Sequence, residues 1–149
     1  MRNFIFQRGT RIVFGGGCVR EYLASFAQEY GPNVLLASGE GSVRHNGVYD
    51  EVCQTLRRAG KQVVEFPGIR PGPDYDTVQR GARLAREHQV DLVLGIGGGS
   101  VMDCCKATAM AAVYQGDLWA DFWARQGEVD FQPLPVGMIP TTVGTGGLN

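Results

Sequence analysis

The chain has 149 residues, 14 Lys plus Arg against 15 Asp plus Glu, a formal net charge of −1, and a hydrophobic share of 44%. That is the length of a single domain with enough apolar matter for a core, and 19% charged residues excludes an intrinsically disordered chain. A near-neutral balance excludes a broad nucleic-acid footprint, and no apolar run approaches the ~18 residues that a membrane span requires.

From the start, Met1–Gly9 carries no apolar run long enough for a signal peptide. Asn3–Phe6 and Thr10–Phe14 are placed to pair as a hairpin across Gln7-Arg8-Gly9. Gly15-Gly16-Gly17 then precedes a helical stripe of Val19, Leu23, Phe26 and Tyr30, which Gly31-Pro32 stops. Val34–Ala37 reads as a strand, followed by the loop Gly39-Glu40-Gly41-Ser42 and a second stripe, Val48, Val52, Leu56 and Ala59, ended at Gly60.

Gln62–Phe66 is the next strand, and Pro67–Pro73 reads as an ordered loop leading to a helix capped near Asp74 or Asp76. That helix carries Val78, Ala82, Ala85 and His88 on one stripe. Asp91–Ile96 is a strand, and Ser100–Tyr114 is an Ala-rich helix, apolar nearly all round and so expected to be buried. Trp119, Phe122 and Trp123 predict a short helix packing over the sheet, and Val136–Ile139 a last strand. Strands alternating with helices, each strand a continuous apolar run, predict a doubly wound, mostly parallel α/β sheet. The chain closes on a Gly/Thr loop directly after a strand, where a doubly wound fold feeds a helix, so it reads as part of a larger protein.

Glycine is the compositional outlier: 22 of 149 residues with only 7 prolines and no three-residue period, about twice ordinary usage and not collagen-like. Its densest cluster is Gly95-Ile96-Gly97-Gly98-Gly99-Ser100-Val101-Met102-Asp103, closing a strand and opening a helix. Bare backbone there lets N–H groups approach an anion, and the helix N-terminus adds unsatisfied donors and a dipole, which suits phosphate. The string lacks the lysine of a P-loop, and Ser100 stands where a strict G-x-G-x-x-G has its last glycine. Ser100 and Asp103 also have capping-box spacing.

The Gly39-Glu40-Gly41-Ser42 loop and Thr141-Thr142 with Gly144 and Gly146 also follow strands, so a parallel sheet brings all three loops to one carboxyl edge. Three small-residue loops there describe an extended polar ligand, and a dinucleotide fits better than a lone phosphate. His45 reads as solvated in a polar loop and His88 as a helix C-terminal group; no His, Cys, Asp or Glu set has metal-ligand spacing. Cys104 and Cys105 read as packing on the buried helix, and Arg57, Arg58, Arg80, Arg83 and Arg86 as solvated faces. Four cysteines without a framework pattern place the chain in a reducing, cytoplasmic compartment.

The string Gly97-Gly98-Gly99-Ser100-Val101-Met102-Asp103-Cys104-Cys105-Lys106 resembles the G-G-G-S-x-x-D-x-x-K motif of iron-containing (group III) alcohol dehydrogenases. Thr10–Gly15, Asn46–Asp50 and Pro140–Gly146 agree with it, closest to the butanol dehydrogenase-like branch. The resemblance implies that residues 1–149 are the N-terminal Rossmann-like dinucleotide-binding domain of an NAD(P)-dependent alcohol dehydrogenase or aldehyde reductase. Gly98, Gly99 and Ser100 would cradle the pyrophosphate, with Gly97 and Asp103 cofactor-binding in the same motif and Thr141 and Thr142 lining the cleft.

Gly39 stands where NAD-preferring members place an Asp, and with Ser42 after it leans to NADP, although the Glu40 carboxylate opposes a 2′-phosphate. The resemblance further implies a divalent iron or zinc on an Asp and three His in a C-terminal helical domain absent from this chain. It also implies an alcohol or aldehyde substrate and a homodimer or higher homo-oligomer. No catalytic residue and no metal ligand is expected within 1–149, and the chain alone is expected to show no turnover. The family pattern G-T-G-S-E departs to Gly144-Thr145-Gly146-Gly147-Leu148. The rival readings are a non-catalytic nucleotide-binding module, or truncated product, and a glycerol dehydrogenase- or dehydroquinate synthase-like enzyme.

Overall fold

The structure is a computed structural model that describes residues 4–123 and 127–142. It opens with the expected hairpin, β1 (Phe4–Arg8) paired antiparallel with β2 (Thr10–Phe14), as a separate two-stranded sheet. Helix α1 (Cys18–Ala27) follows, and Arg11 ties the hairpin to it with a two-pronged bond to the Glu29 carboxylate at 2.7 and 2.8 Å. The Arg11 guanidinium also lies 3.9 Å above the Phe26 ring, adding a cation–π contact.

The main sheet has four parallel strands in the order β4-β3-β5-β6: β3 (Asn33–Gly39), β4 (Gln62–Ile69), β5 (Leu92–Gly97) and β6 (Val136–Pro140). The chain leaves β3 for β4 on one side, then crosses back over β3 to β5 and β6. Right-handed crossovers place consecutive helices on opposite faces when direction reverses, and the core divides accordingly. Val34 and Leu36 of β3, with Leu92, Leu94 and Ile96 of β5, pack under α1 and α3 (Val48–Arg58). Leu35, Ala37 and Val93 face α4 (Tyr75–Glu87) and α5 (Gly99–Val113).

The periodicities explain the helices. Val52 and Leu56 of α3 are fully buried, each contributing about 1.5–3 kcal/mol of transfer free energy. In α4 the stripe of Val78, Ala82 and Ala85 is buried, but it ends there: His88 is the C-cap residue and exposed. Asp74 is the α4 N-cap, accepting from the Thr77 amide at 2.8 Å. Cys104 and Cys105 are buried in α5, as packing residues.

Several expectations are corrected. Of the four strands of the main sheet, β3 and β5 are buried along their length, β4 is an edge strand with outward positions open to solvent, and β6 is half-buried. The Pro67–Pro73 segment is not wholly a loop, because β4 runs on to Ile69 after a register shift opposite Ala37/Gly39, and Ile69 is buried. His45 ends a four-residue helix, α2 (Ser42–His45), rather than standing in a loop, and is exposed.

Trp119–Trp123 forms a π-helical turn in which Phe122 meets Tyr114 and Phe131, while Trp119 is 54% exposed against Tyr75. Through Phe122 the short helix packs against the end of α5 and the core cluster on that side of the sheet. Two of the arginines read as solvated also have partners: Arg80 lies over Phe66, and Arg86 donates to the Ala111 carbonyl.

Candidate functional site

In an open α/β sheet the ligand crevice forms outside the carboxyl ends of the strands, where the strand order reverses. Here that point lies between β3 and β5, because β4 and β5 flank β3 on opposite sides. The β3 loop turns towards α2 and α3, and the β5 loop towards α5. The loops Gly39-Glu40-Gly41 and Gly97-Gly98-Gly99 therefore leave neighbouring parallel strands at the same carboxyl edge, where such a crevice is expected.

Helix α5 begins at this edge. Its N-cap is Gly98, with no side-chain capping bond, and Val101 and Met102 both donate to the Gly98 carbonyl at 3.1 Å. The amides of Gly99 and Ser100 belong to the first turn, which has no earlier helical carbonyl to bond. Together with the dipole of a fifteen-residue helix, these donors make the turn an anion-binding feature. The capping-box expectation is thereby corrected. Ser100 stands inside the first turn, not at its cap, and its hydroxyl accepts from the Gly72 amide at 3.3 Å instead. Asp103 is exposed on the next turn and caps nothing.

The loops converge on this turn. Thr141 donates its amide to the Gly97 carbonyl at 3.0 Å. A methyl group on Gly98 would lie 3.0 Å from the Thr142 hydroxyl. From the other side, a Cβ on Gly39 would sit 3.7 Å from Val101 Cγ2 and 3.5 Å from the Ile69 carbonyl, which is ordinary contact. Gly39 is therefore glycine without steric need, unlike Gly97, where φ is +155° and a Cβ would come 2.7 Å from Val101 Cγ2.

Gly39, Gly97, Gly98, Gly99, Ser100, Thr141 and Thr142 thus share one edge, with Ser42 opening α2 beside them. Gly144, Gly146 and Gly147 lie outside the described residues.

Three features of this edge escaped the sequence reading. Ser38, one residue before Gly39, is buried with a hydroxyl that has no hydrogen-bond partner among the described residues. Gly72 couples the loop after β4 to Ser100. Glu40 is ion-paired with Arg70 at 3.0 Å, both side chains largely exposed. A charged residue just past each of two strands was the available signal, but their pairing needs the register Gly39↔Ile69, which the sequence does not display. The next arginine after the loop, Arg44, is turned away towards Glu65 and the Tyr49 ring. Burial and the bond to Glu65 push the Tyr49 phenol well above its usual range.

The bare Gly98 approach and the first-turn amides suit the phosphates of a dinucleotide. For a metal the fit fails: among the described residues no three His, Cys, Asp or Glu side chains come together.

The chain is similar to known proteins in sequence and in fold. A profile of the iron-containing alcohol dehydrogenases matches residues 9–148. The probable NADH-dependent butanol dehydrogenase 2 of Bacillus subtilis is 41% identical over 146 residues, covering 98% of this chain and 37% of that protein. The NADPH-dependent aldehyde reductase YqhD of Escherichia coli is 38% identical over 98% of this chain and 37% of its own length. The crystal structure of NADH-dependent butanol dehydrogenase A from Thermotoga maritima superposes with a TM-score of 0.81 at 37% identity, over 95% of this chain and 35% of that one. The chain thus spans little more than a third of the length of the relatives it matches. With the sheet order, the glycine turn at the switch point and these matches in agreement, the chain belongs to the iron-containing alcohol dehydrogenase family.

Proposed function

We propose that residues 1–149 are the dinucleotide-binding domain of an NAD(P)-dependent alcohol dehydrogenase or aldehyde reductase. The observation that carries this reading is the convergence of the Gly39, Gly97–Gly98 and Thr141–Thr142 loops on the first turn of α5. The amides of Gly99 and Ser100 hold the pyrophosphate, which Gly98 lets approach because it has no side chain. Thr141 and Thr142 wall the cleft on the β6 side, and Gly39 with Ser42 faces the adenosine ribose. When bound, the nicotinamide supplies or accepts the hydride exchanged with the alcohol or aldehyde. This chain's residues fix where the coenzyme lies.

The relatives are named for both NADH and NADPH. We read the coenzyme choice here as a modest preference for NADP, since Gly39 puts no carboxylate against the 2′ position. The exposed apolar side chains of Ile5 and Phe14 on the hairpin support a homodimer or higher homo-oligomer. The four free thiols suit the cytoplasm. Calorimetric titration of NADH and NADPH into the chain tests the reading: saturable binding of at least one coenzyme is expected, and absence of heat at millimolar ligand refutes it.

A further inference from the structure

We propose that Glu40 and Arg70 form a reciprocal selector for the 2′ group of the coenzyme, Arg70 being the counter-ion of a 2′-phosphate and Glu40 its restraint. The proposal rests on the dinucleotide reading above and goes beyond it to residues that neither composition nor motif singles out as a pair.

The geometry begins with the sheet. β3 and β4 run parallel with Gly39 opposite Ile69, so the next residues, Glu40 and Arg70, leave the sheet side by side at its carboxyl edge. Neighbouring parallel strands lie about 4.8 Å apart, within easy reach of two long side chains. Arg70 Nε sits 3.0 Å from Glu40 Oε1, and the side chains are 80% and 57% exposed. An ion pair this open contributes little to stability, so holding the two residues together is not what keeps the fold intact.

Its position is informative. Gly39, immediately before Glu40, faces the first turn of α5, where a Cβ would meet only ordinary contacts. Gly39 thus adds no side chain of its own to this edge, and the residues that follow Gly39 and Ile69 there are the charged pair Glu40 and Arg70. Arg44, the nearest arginine in sequence, is engaged with Glu65 and stacked on Tyr49. A 2′-phosphate carries close to two negative charges and calls for a guanidinium with its forked donors, which Arg70 presents. A free ribose 2′-hydroxyl needs an acceptor, which the Glu40 carboxylate provides. With the two neutralising each other, neither coenzyme is strongly excluded. Binding of NADP draws Arg70 from Glu40, while binding of NAD leaves the pair intact.

The test is the ratio of NADP to NAD affinity, measured by calorimetric titration of each coenzyme into the wild-type chain and the variants Glu40→Gln, Arg70→Gln, Arg70→Lys and the double Gln variant. Glu40→Gln frees the arginine and is expected to raise the ratio about tenfold, whereas Arg70→Gln lowers it by a similar factor. Arg70→Lys keeps the charge without the fork and falls between wild type and Arg70→Gln. The shifts shrink as salt is raised from about 0.05 to 0.5 M.

Unchanged ratios in variants that still bind NAD overturn the proposal. So does an equal loss of both coenzymes in Arg70→Gln, which marks a merely structural role. If the wild-type chain binds neither coenzyme, the dinucleotide reading itself fails and the selector falls with it. Thermal melts of each variant establish folding independently of ligand.

Discussion

Gly97 and Gly98 are adjacent, yet the structure assigns them opposite vulnerabilities, and alanine at each position separates folding from binding. At Gly97 a Cβ would stand 2.7 Å from Val101 Cγ2 and 3.1 Å from Val101 Cβ, on backbone with φ of +155°. Val101 is buried in the first turn of α5, so it has little room to yield. Overpacking and an unfavourable φ together are expected to cost Gly97→Ala about 2–4 kcal/mol.

Gly98 differs. Its φ of −94° and ψ of −164° are open to any L-residue, and among the described residues the new methyl meets only the exposed Thr142, 3.0 Å from Oγ1. Gly98→Ala is expected to cost less than about 1 kcal/mol in stability. Its effect falls on the ligand. A phosphate oxygen accepts from a backbone amide at roughly 2.9 Å, and a Cβ beside that path holds it away. Losing one or two charge-assisted bonds at about 1.5–3 kcal/mol each weakens coenzyme binding by roughly 10–100-fold or more. Denaturant melts and NADH titrations of both variants supply the four numbers needed. A Gly98→Ala chain that binds as tightly as wild type would refute the phosphate assignment, however well it folds.

Further predictions follow from single groups. Ser38→Ala removes a buried hydroxyl that has no partner among the described residues, so the ligand-free chain should gain about 1 kcal/mol and melt roughly 3 °C higher; a lower melting temperature contradicts the orphan assignment. Hydrogen bonds from Thr77 hold the Asp74 carboxyl below its usual value. The charged cap thus contributes fully above the unfolded Asp value of about 4 and is lost as pH falls through the lower folded value. Asp74→Ala should melt below wild type at neutral pH, with the gap closing in acid; a gap constant with pH is inconsistent with a charged cap. Of the four free thiols only Cys18 is partly exposed, and burial pushes the Cys53, Cys104 and Cys105 thiols up. A thiol reagent should therefore label Cys18 in the native chain and the other three only on unfolding.

The elements were legible because each carries one period. The stripe of Val48, Val52 and Leu56 has no other way to bury itself than as α3, and Asp74 before Tyr75 announces the start of α4. The strand runs at Val34 and Leu92 could be read as buried because both faces of β3 and β5 are covered. Pairing information is absent from such patterns.

Ser100 was open to a capping role because any of three consecutive glycines, or the serine itself, is free to be the last non-helical residue. Only the extended backbone of Gly98 decides it. Pro67-Gly68 ordinarily ends a strand and so predicts a stop at Phe66, but on an edge strand a proline withholds no ladder bond that the sheet needs, and β4 runs on to Ile69. The Glu40–Arg70 pair depended on a parallel register between segments thirty residues apart. No local signal encodes that.

The most direct test of the account is competition at the first turn of α5. NADH is bound to the wild-type chain and displaced with inorganic pyrophosphate while amide resonances are followed. The account predicts saturable NADH binding, with the largest shifts at Gly98, Gly99 and Ser100 and displacement by pyrophosphate at those same amides. Binding that leaves these three unshifted, or no binding at all, would contradict it.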